Sequence, residues 1–90
     1  MKHAGPRTLA ELEPLLRMIR RHASLVERTP GSFYRRSKGW LHFHEDPAGI
    51  FADIKLDGIS FARLRATTPQ EQAELIALVD RQLAQASVKD

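Results

Sequence analysis

All six aromatic residues of this 90-residue chain (Phe33, Tyr34, Trp40, Phe43, Phe51 and Phe61) fall between positions 33 and 61. Both flanks lack aromatics and are rich in Leu, Ala, Arg, Glu and Gln, which favour helix. Aromatic and β-branched side chains suit the half-buried surface of a sheet. The segregation predicts helix, then sheet, then helix, within the single domain that a chain of this length holds.

In the first flank Leu15, Ile19, His22 and Val26 recur at helical spacing, with Leu12, Leu16 and Ala23 beside them. The pattern predicts a helix over about 8–28, with Thr8 and Glu11 as a capping box. Pro14 removes a backbone donor, so the segment must either kink there or start its main helix with Pro14 in the first turn. Thr29-Pro30-Gly31 is a breaker cluster that ends it. In the second flank Thr68-Pro69-Gln70-Glu71 sets a capping Thr, a first-turn Pro and a Glu at the third helical position. Leu75, Ile76, Val79 and Leu83 continue as one apolar stripe, giving a helix over about 69–86, with Ser87 to Asp90 expected to fray.

The middle, about 32–65, divides into four strands. Segments 32–37 and 40–45 are joined by Lys38-Gly39, and Asp46-Pro47-Ala48-Gly49 has the residue order of a type I turn. Strand 50–56 follows, and Asp57-Gly58 reads as a two-residue hairpin turn before a strand over 59–65. The expected fold is α+β: a four-stranded antiparallel meander with N- and C-terminal helices packed on one face.

Pairing Glu45 with Ile50 across the Asp46–Gly49 turn gives the sheet two unlike faces. Leu41, Phe43, Ala52, Ile54 and Leu56, continued by Ile59 and Phe61, form an apolar face for the helices. Trp40, His42, His44, Phe51, Asp53 and Lys55, joined by Phe33 and Arg35, form a mixed face, and function is expected there.

The most specific chemical feature is Trp40-Leu41-His42-Phe43-His44-Glu45-Asp46. His-x-His sets two imidazoles on one side of a strand, about 7 Å apart at the backbone. Asp53 on the next strand adds a carboxylate, and two histidines with one carboxylate can hold zinc or ferrous iron with positions left open. The alternative is a half-exposed sheet face on which Asp53 pairs with His42. His-x-His also occurs in cupin barrels, whose glutamate and last histidine are missing here. Gly58-Ile59-Ser60-Phe61-Ala62 has the letters of a nucleophile elbow, but a strand rather than a helix follows Ser60. No catalytic constellation emerges, and His22 reads as a histidine at the core edge with one hydrogen bond.

Charge is uneven along the chain. Residues 1–45 carry nine basic and four acidic groups, whereas 46–90 carry five and seven. On one continuous helix Arg17, Arg20, Arg21 and Arg28 share a face with Ser24, a stripe able to contact nucleic-acid phosphates, as could Arg35, Arg36 and Lys38. The other reading is a solvated face. The chain has no cysteine, which removes disulfides, thiolate metal sites and cysteine nucleophiles. Residues 1–7 lack the apolar core of a signal peptide, and no apolar run approaches the roughly 20 residues that cross a bilayer. A cytoplasmic protein without a membrane segment is expected.

The runs Glu27–Tyr34 and Trp40–Asp53, the latter WLHFHEDPAGIFAD, resemble an uncharacterised bacterial family of short proteins, which implies no particular activity. The order of helix, small meander and closing helix is also similar to YjbR-like domains. In those a glycine-lysine hairpin precedes an apolar strand, where this chain has Lys38-Gly39, and that likeness implies DNA binding. From the residues themselves the leading expectation is a non-enzymatic interaction module. It would form a homodimer or dock a protein partner through Trp40, His42, His44, Phe51, Asp53 and Lys55, with no cofactor. Two other readings stand beside it: a metal-binding protein or metal-dependent enzyme using His42, His44 and Asp53, and nucleic-acid binding by the arginine stripe.

Overall fold

The computed structural model describes residues 1–89, with side-chain surroundings described for 1–84. The elements in chain order are β1 (Lys2–His3), α1 (Pro6–Glu11), α2 (Glu13–Ile19), β2 (Val26–Thr29), β3 (Ser32–Arg35), β4 (Lys38–Asp46), β5 (Gly49–Ile54), β6 (Ala62–Arg65) and α3 (Pro69–Lys89). The class is α+β as expected, with an antiparallel sheet ordered β2-β3-β4-β5-β6. Two strands exceed the expected four, because β2 extends the meander and β1 pairs with the second half of β4.

The sheet's dry face carries Phe33, Leu41, Phe43, Ala52 and Ile54. These join Leu12, Leu15, Leu16 and Ile19 of the N-terminal helical segment and Leu75, Val79 and Leu83 of α3 in one buried cluster. The register across the Asp46–Gly49 turn is as read from the sequence: Glu45 opposite Ile50, His44 opposite Phe51, His42 opposite Asp53. The capping box of α3 also forms as expected. The Glu71 N–H donates to Thr68 Oγ1 at 3.1 Å, while Glu71 Oε1 accepts from the Thr68 and Thr67 N–H groups at 3.0 Å each. The helix continues to Lys89; Asp90, the end of the stretch expected to fray, lies outside the described residues.

The first helix is shorter than expected and divided. α2 starts with Pro14 in its first turn, and the helix ends at Ile19 rather than near Arg28. Thr8 does not cap; Gly5 precedes α1, and the Thr8 hydroxyl bonds the Glu45 carboxylate, which also accepts from the Gly5 N–H. Residues 26–29 become β2 because an unpaired β3 edge offers them ladder hydrogen bonds, with Val26 opposite Tyr34 and Glu27 opposite Phe33. Thr29-Pro30-Gly31 is therefore a hairpin turn rather than a helix terminus. Gly31 adopts φ 79°, and a Cβ there would meet Leu9 Cδ2 at 2.6 Å.

Two further turns differ from expectation. β3 and β4 are joined through Arg36 and Ser37, both at positive φ, so Lys38-Gly39 is already strand. The pairing then skips from Phe33–Leu41 to Tyr34–Gly39, which leaves Trp40 as the extra residue of a β-bulge. The bulge sends Trp40 into the core beside Leu41, where it is 5% exposed, and Phe33 likewise faces the core. Between β5 and β6, Asp57-Gly58 forms no two-residue hairpin. Asp57 Oδ1 instead accepts from the Ile59 and Ser60 N–H groups at 2.8 Å each, and Ile54 pairs with Ala62. That is a shift of one residue from the expected pairing with Phe61, and such a shift exchanges the two faces. Ile59 and Phe61, expected in the apolar face, are 83% and 43% exposed.

Two expectations follow. Phe43→Ala removes a fully buried ring at the centre of the sheet and should cost about 3–5 kcal/mol of unfolding free energy, measured by urea denaturation. Burial pushes the Glu27 carboxyl up, but the Arg20 guanidinium and the Gly31 N–H more than offset it, leaving the group below its ordinary value. Its contribution is therefore present above the usual carboxylate range and lost as pH falls through the folded value. Glu27→Gln should lower stability at pH 7 and shrink the difference between pH 7 and pH 3, read from thermal melts at both.

Candidate functional site

The wet face is organised in two rows that cross the strands. One runs His3–His44–Phe51–Arg65 and the other His42–Asp53–Arg63, each neighbour set opposite the next by the pairing of β1, β4, β5 and β6. The sequence reading placed His42, His44, Phe51 and Asp53 together on this face, and the structure brings them together. It adds His3, Phe61, Arg63 and Arg65, and it withdraws Trp40 and Phe33, which face the core.

Period-two alternation in β4 aims His42 and His44 at the same side, and β1 delivers His3 directly opposite His44. The His3 ring stacks on His44 with centroids 4.9 Å apart and lies 5.9 Å from His42. His42 Nδ1 is 2.8 Å from His44 Nε2, and one ring nitrogen from each of the three histidines falls within 4.8 Å of the others. Phe61 meets His42 edge-on at 4.9 Å, and Lys55 Nζ lies 4.9 Å from the Phe61 centroid. Lys55 thus stands at the rim through Phe61, and half-buried Phe51 lies under the Arg65 guanidinium.

Asp53 is 7% exposed and fully engaged. Arg63 Nε donates to Oδ1 at 2.8 Å and Nη2 to Oδ2 at 3.0 Å, a two-pronged pair that matches guanidinium to carboxylate. His44 Nε2 lies 3.0 Å from the same Oδ2. Carboxylate oxygens only accept, so a proton on His44 Nε2 serves Asp53 and leaves His42 Nδ1 as an acceptor. The Arg63 hydrogen bonds and charge outweigh burial and hold the Asp53 carboxyl below its ordinary value. His42 is shifted down, chiefly by burial and then by neighbouring His44, against the opposing pull of Asp53. A neutral imidazole is the form that ligates metals.

The four arginines of the expected stripe do not lie on one helix. Arg17, on α2, is exposed and 3.9 Å from Glu13. Arg20 is clamped between Glu13 and Glu27, with bonds of 2.9 and 2.6 Å. Arg21 follows the helix and contacts Met18 Sδ at 3.6 Å, and Arg28 lies on β2 with its guanidinium 4.5 Å from the Tyr34 ring centroid. The stripe needed one helix through residue 28, and the chain leaves helix after Ile19. His22 bonds Asp80 Oδ1 at 2.7 Å, tying the segment after α2 to α3.

His3 escaped the sequence reading because a two-residue strand has no periodicity to detect. Its one signal is residue type: a third histidine in a chain with four. Arg63 escaped because its assignment to this face depends on the irregular loop between β5 and β6.

Arg63→Gln should raise the Asp53 carboxyl toward its ordinary value, read from a side-chain carboxyl NMR titration. Because a depressed carboxylate supports folding above its unfolded value, the variant should also lose stability at pH 7 and little at pH 2. Comparison of the chain with family models, with curated proteins and with solved structures finds no match.

Proposed function

We propose that this protein binds a divalent transition metal through His3, His42 and His44. The single observation that carries the reading is the convergence of one ring nitrogen from each histidine within 4.8 Å. With zinc–nitrogen bonds of about 2.0–2.1 Å, two tetrahedral ligands stand about 3.3 Å apart, a spacing that small ring rotations reach from here. Three imidazoles favour zinc, copper, nickel or iron over magnesium or calcium, and leave a fourth position for water or another ligand.

This ligand set differs from His42, His44 and Asp53. Both oxygens of Asp53 are already committed to Arg63, so its role is to set a fixed negative charge 3.0 Å from His44 Nε2. A metal on His44 Nε2 would displace the proton that Asp53 accepts, so Asp53 would act through its negative charge beside the cation. Phe61 walls one side of the site and limits water at His42.

Calorimetric titration should show one zinc or cobalt ion per chain. His3→Ala, His42→Ala and His44→Ala should each weaken binding by more than about 100-fold, whereas Asp53→Asn should cost about tenfold. His22→Ala, at the other histidine, should change nothing. Binding that survives His3→Ala and vanishes with Asp53→Asn would assign the ligands to His42, His44 and Asp53 instead. No uptake of zinc, cobalt, nickel or copper would end the metal reading.

A second reading, self-association as a homodimer through the rim of this face, is favoured by the exposure of Ile59 and Phe61. Trp40 no longer contributes, so the apolar area rests on these two and Phe51. Sedimentation equilibrium should then give a dimer for the wild type and a monomer for Phe61→Ser; a wild-type monomer at all concentrations removes this reading. Among the described residues no helix is long and apolar enough to cross a membrane.

A further inference from the structure

The strand β1 is held on the sheet by little besides backbone. Its two residues, Lys2 and His3, are exposed, and no residue before Leu12 is buried. β1 lies along β4 on the side where β3 stops: β3 pairs as far as His42, and β1 takes His44 and Glu45. The Ala4 N–H donates to the Phe43 carbonyl at 3.1 Å, and the Gly5 N–H donates to the Glu45 carboxylate. The first of these bonds makes His3 opposite His44 the non-hydrogen-bonded kind of pair, in which side chains stand closest. The His3 ring accordingly stacks on His44. A segment with so few buried apolar contacts opens at low cost in free energy.

We propose that a metal ion bound by His3, His42 and His44 acts as a clasp that locks β1 onto the edge of β4, and that the metal-free chain releases β1 and bares that edge. The clasp rests on the metal reading above and adds a conformational consequence to it. Two of the ligands belong to β4 and the third to β1, so one ion joins segments 39 and 41 positions apart in the chain. Lifting β1 takes His3 off the ion and reduces the site to two imidazoles. The three-ligand site exists only in the docked state, so the ion stabilises docking to the extent that it prefers that state. With β1 away, Phe43 to Asp46 have no strand beside them on that side, which is an open sheet edge. Metal supply then decides whether this edge is covered.

Amide hydrogen exchange followed by NMR on the full chain, with and without zinc, tests the clasp, and calorimetry under the same conditions records whether zinc binds. The Ala4 N–H reports on β1. The Gln72 N–H, bonded to the Thr68 carbonyl at 2.9 Å in the first turn of α3, reports away from the site. At free zinc about a hundredfold above Kd, Ala4 exchange should slow by about tenfold or more, toward a ceiling of about 100-fold, while Gln72 stays unchanged. In His3→Ala the same zinc should leave Ala4 exchange as it was. Glu45→Ala removes no ligand but takes away the acceptor of the Gly5 N–H. It should speed Ala4 exchange without zinc and slow it again with zinc, which keeps the measurement sensitive. Zinc that binds without slowing Ala4 overturns the clasp and leaves the metal reading standing; absence of zinc binding removes both. Equal slowing at Ala4 and Gln72, or slowing that persists in His3→Ala, also overturns the clasp.

Discussion

Six consecutive residue pairs, from Leu41 opposite Ile54 to Asp46 opposite Gly49, join β4 to β5, and the alternation along them divides the protein into a dry side and a wet side. Leu41, Phe43, Ala52 and Ile54 go one way and bring both helical segments onto the sheet. His42, His44, Phe51 and Asp53 go the other way, onto the wet face. Slipping this ladder by one residue would bury two imidazoles and a carboxylate under the helices and expose four apolar side chains. The core and the candidate metal site therefore depend on the same register, and the Asp46–Gly49 turn that sets it serves both.

Around that ladder, irregularities decide who joins which side. The bulge at Trp40 adds one residue to β4 and moves the largest aromatic of the chain from the histidine face to the core. The Asx-type loop at Asp57 shifts β6 by one residue and has the opposite effect on Phe61, which leaves the core side and walls His42. The same shift presents Arg63 to Asp53. A carboxylate this buried needs a partner that fills both oxygens, and the guanidinium fork does so. The charge on Asp53 is thereby kept available to the histidines without being spent as a ligand.

The regular parts of this fold are legible in the residues. Leu75, Val79 and Leu83 with the Thr68–Glu71 box specify α3, since stripe and cap are both local patterns. Asp46-Pro47-Ala48-Gly49 specifies its turn, and with it the partners of His42 and His44. Where reading failed, a local pattern met a stronger distant one. Ile19, His22 and Val26 keep helical spacing, yet residues 26–29 gain more from the open edge of β3 than from another helical turn. Lys38-Gly39 and Asp57-Gly58 each contain a glycine suited to a tight turn, but the chain turns at Arg36-Ser37 and loops irregularly from residue 55 to 61.

The sequence by itself determined the helix–sheet–helix order, the apolar face, and the pairing of two histidines with Asp53 across neighbouring strands. These depend on composition, period and turn chemistry, which act over a few residues. Tertiary structure alone decided that His3 completes the histidine cluster, that Arg63 claims Asp53, and that Trp40 turns inward. Each of those depends on which strand lies beside which and on single-residue shifts in register. Such shifts are set by the packing of the whole sheet against the helices, and no local window of residues contains them.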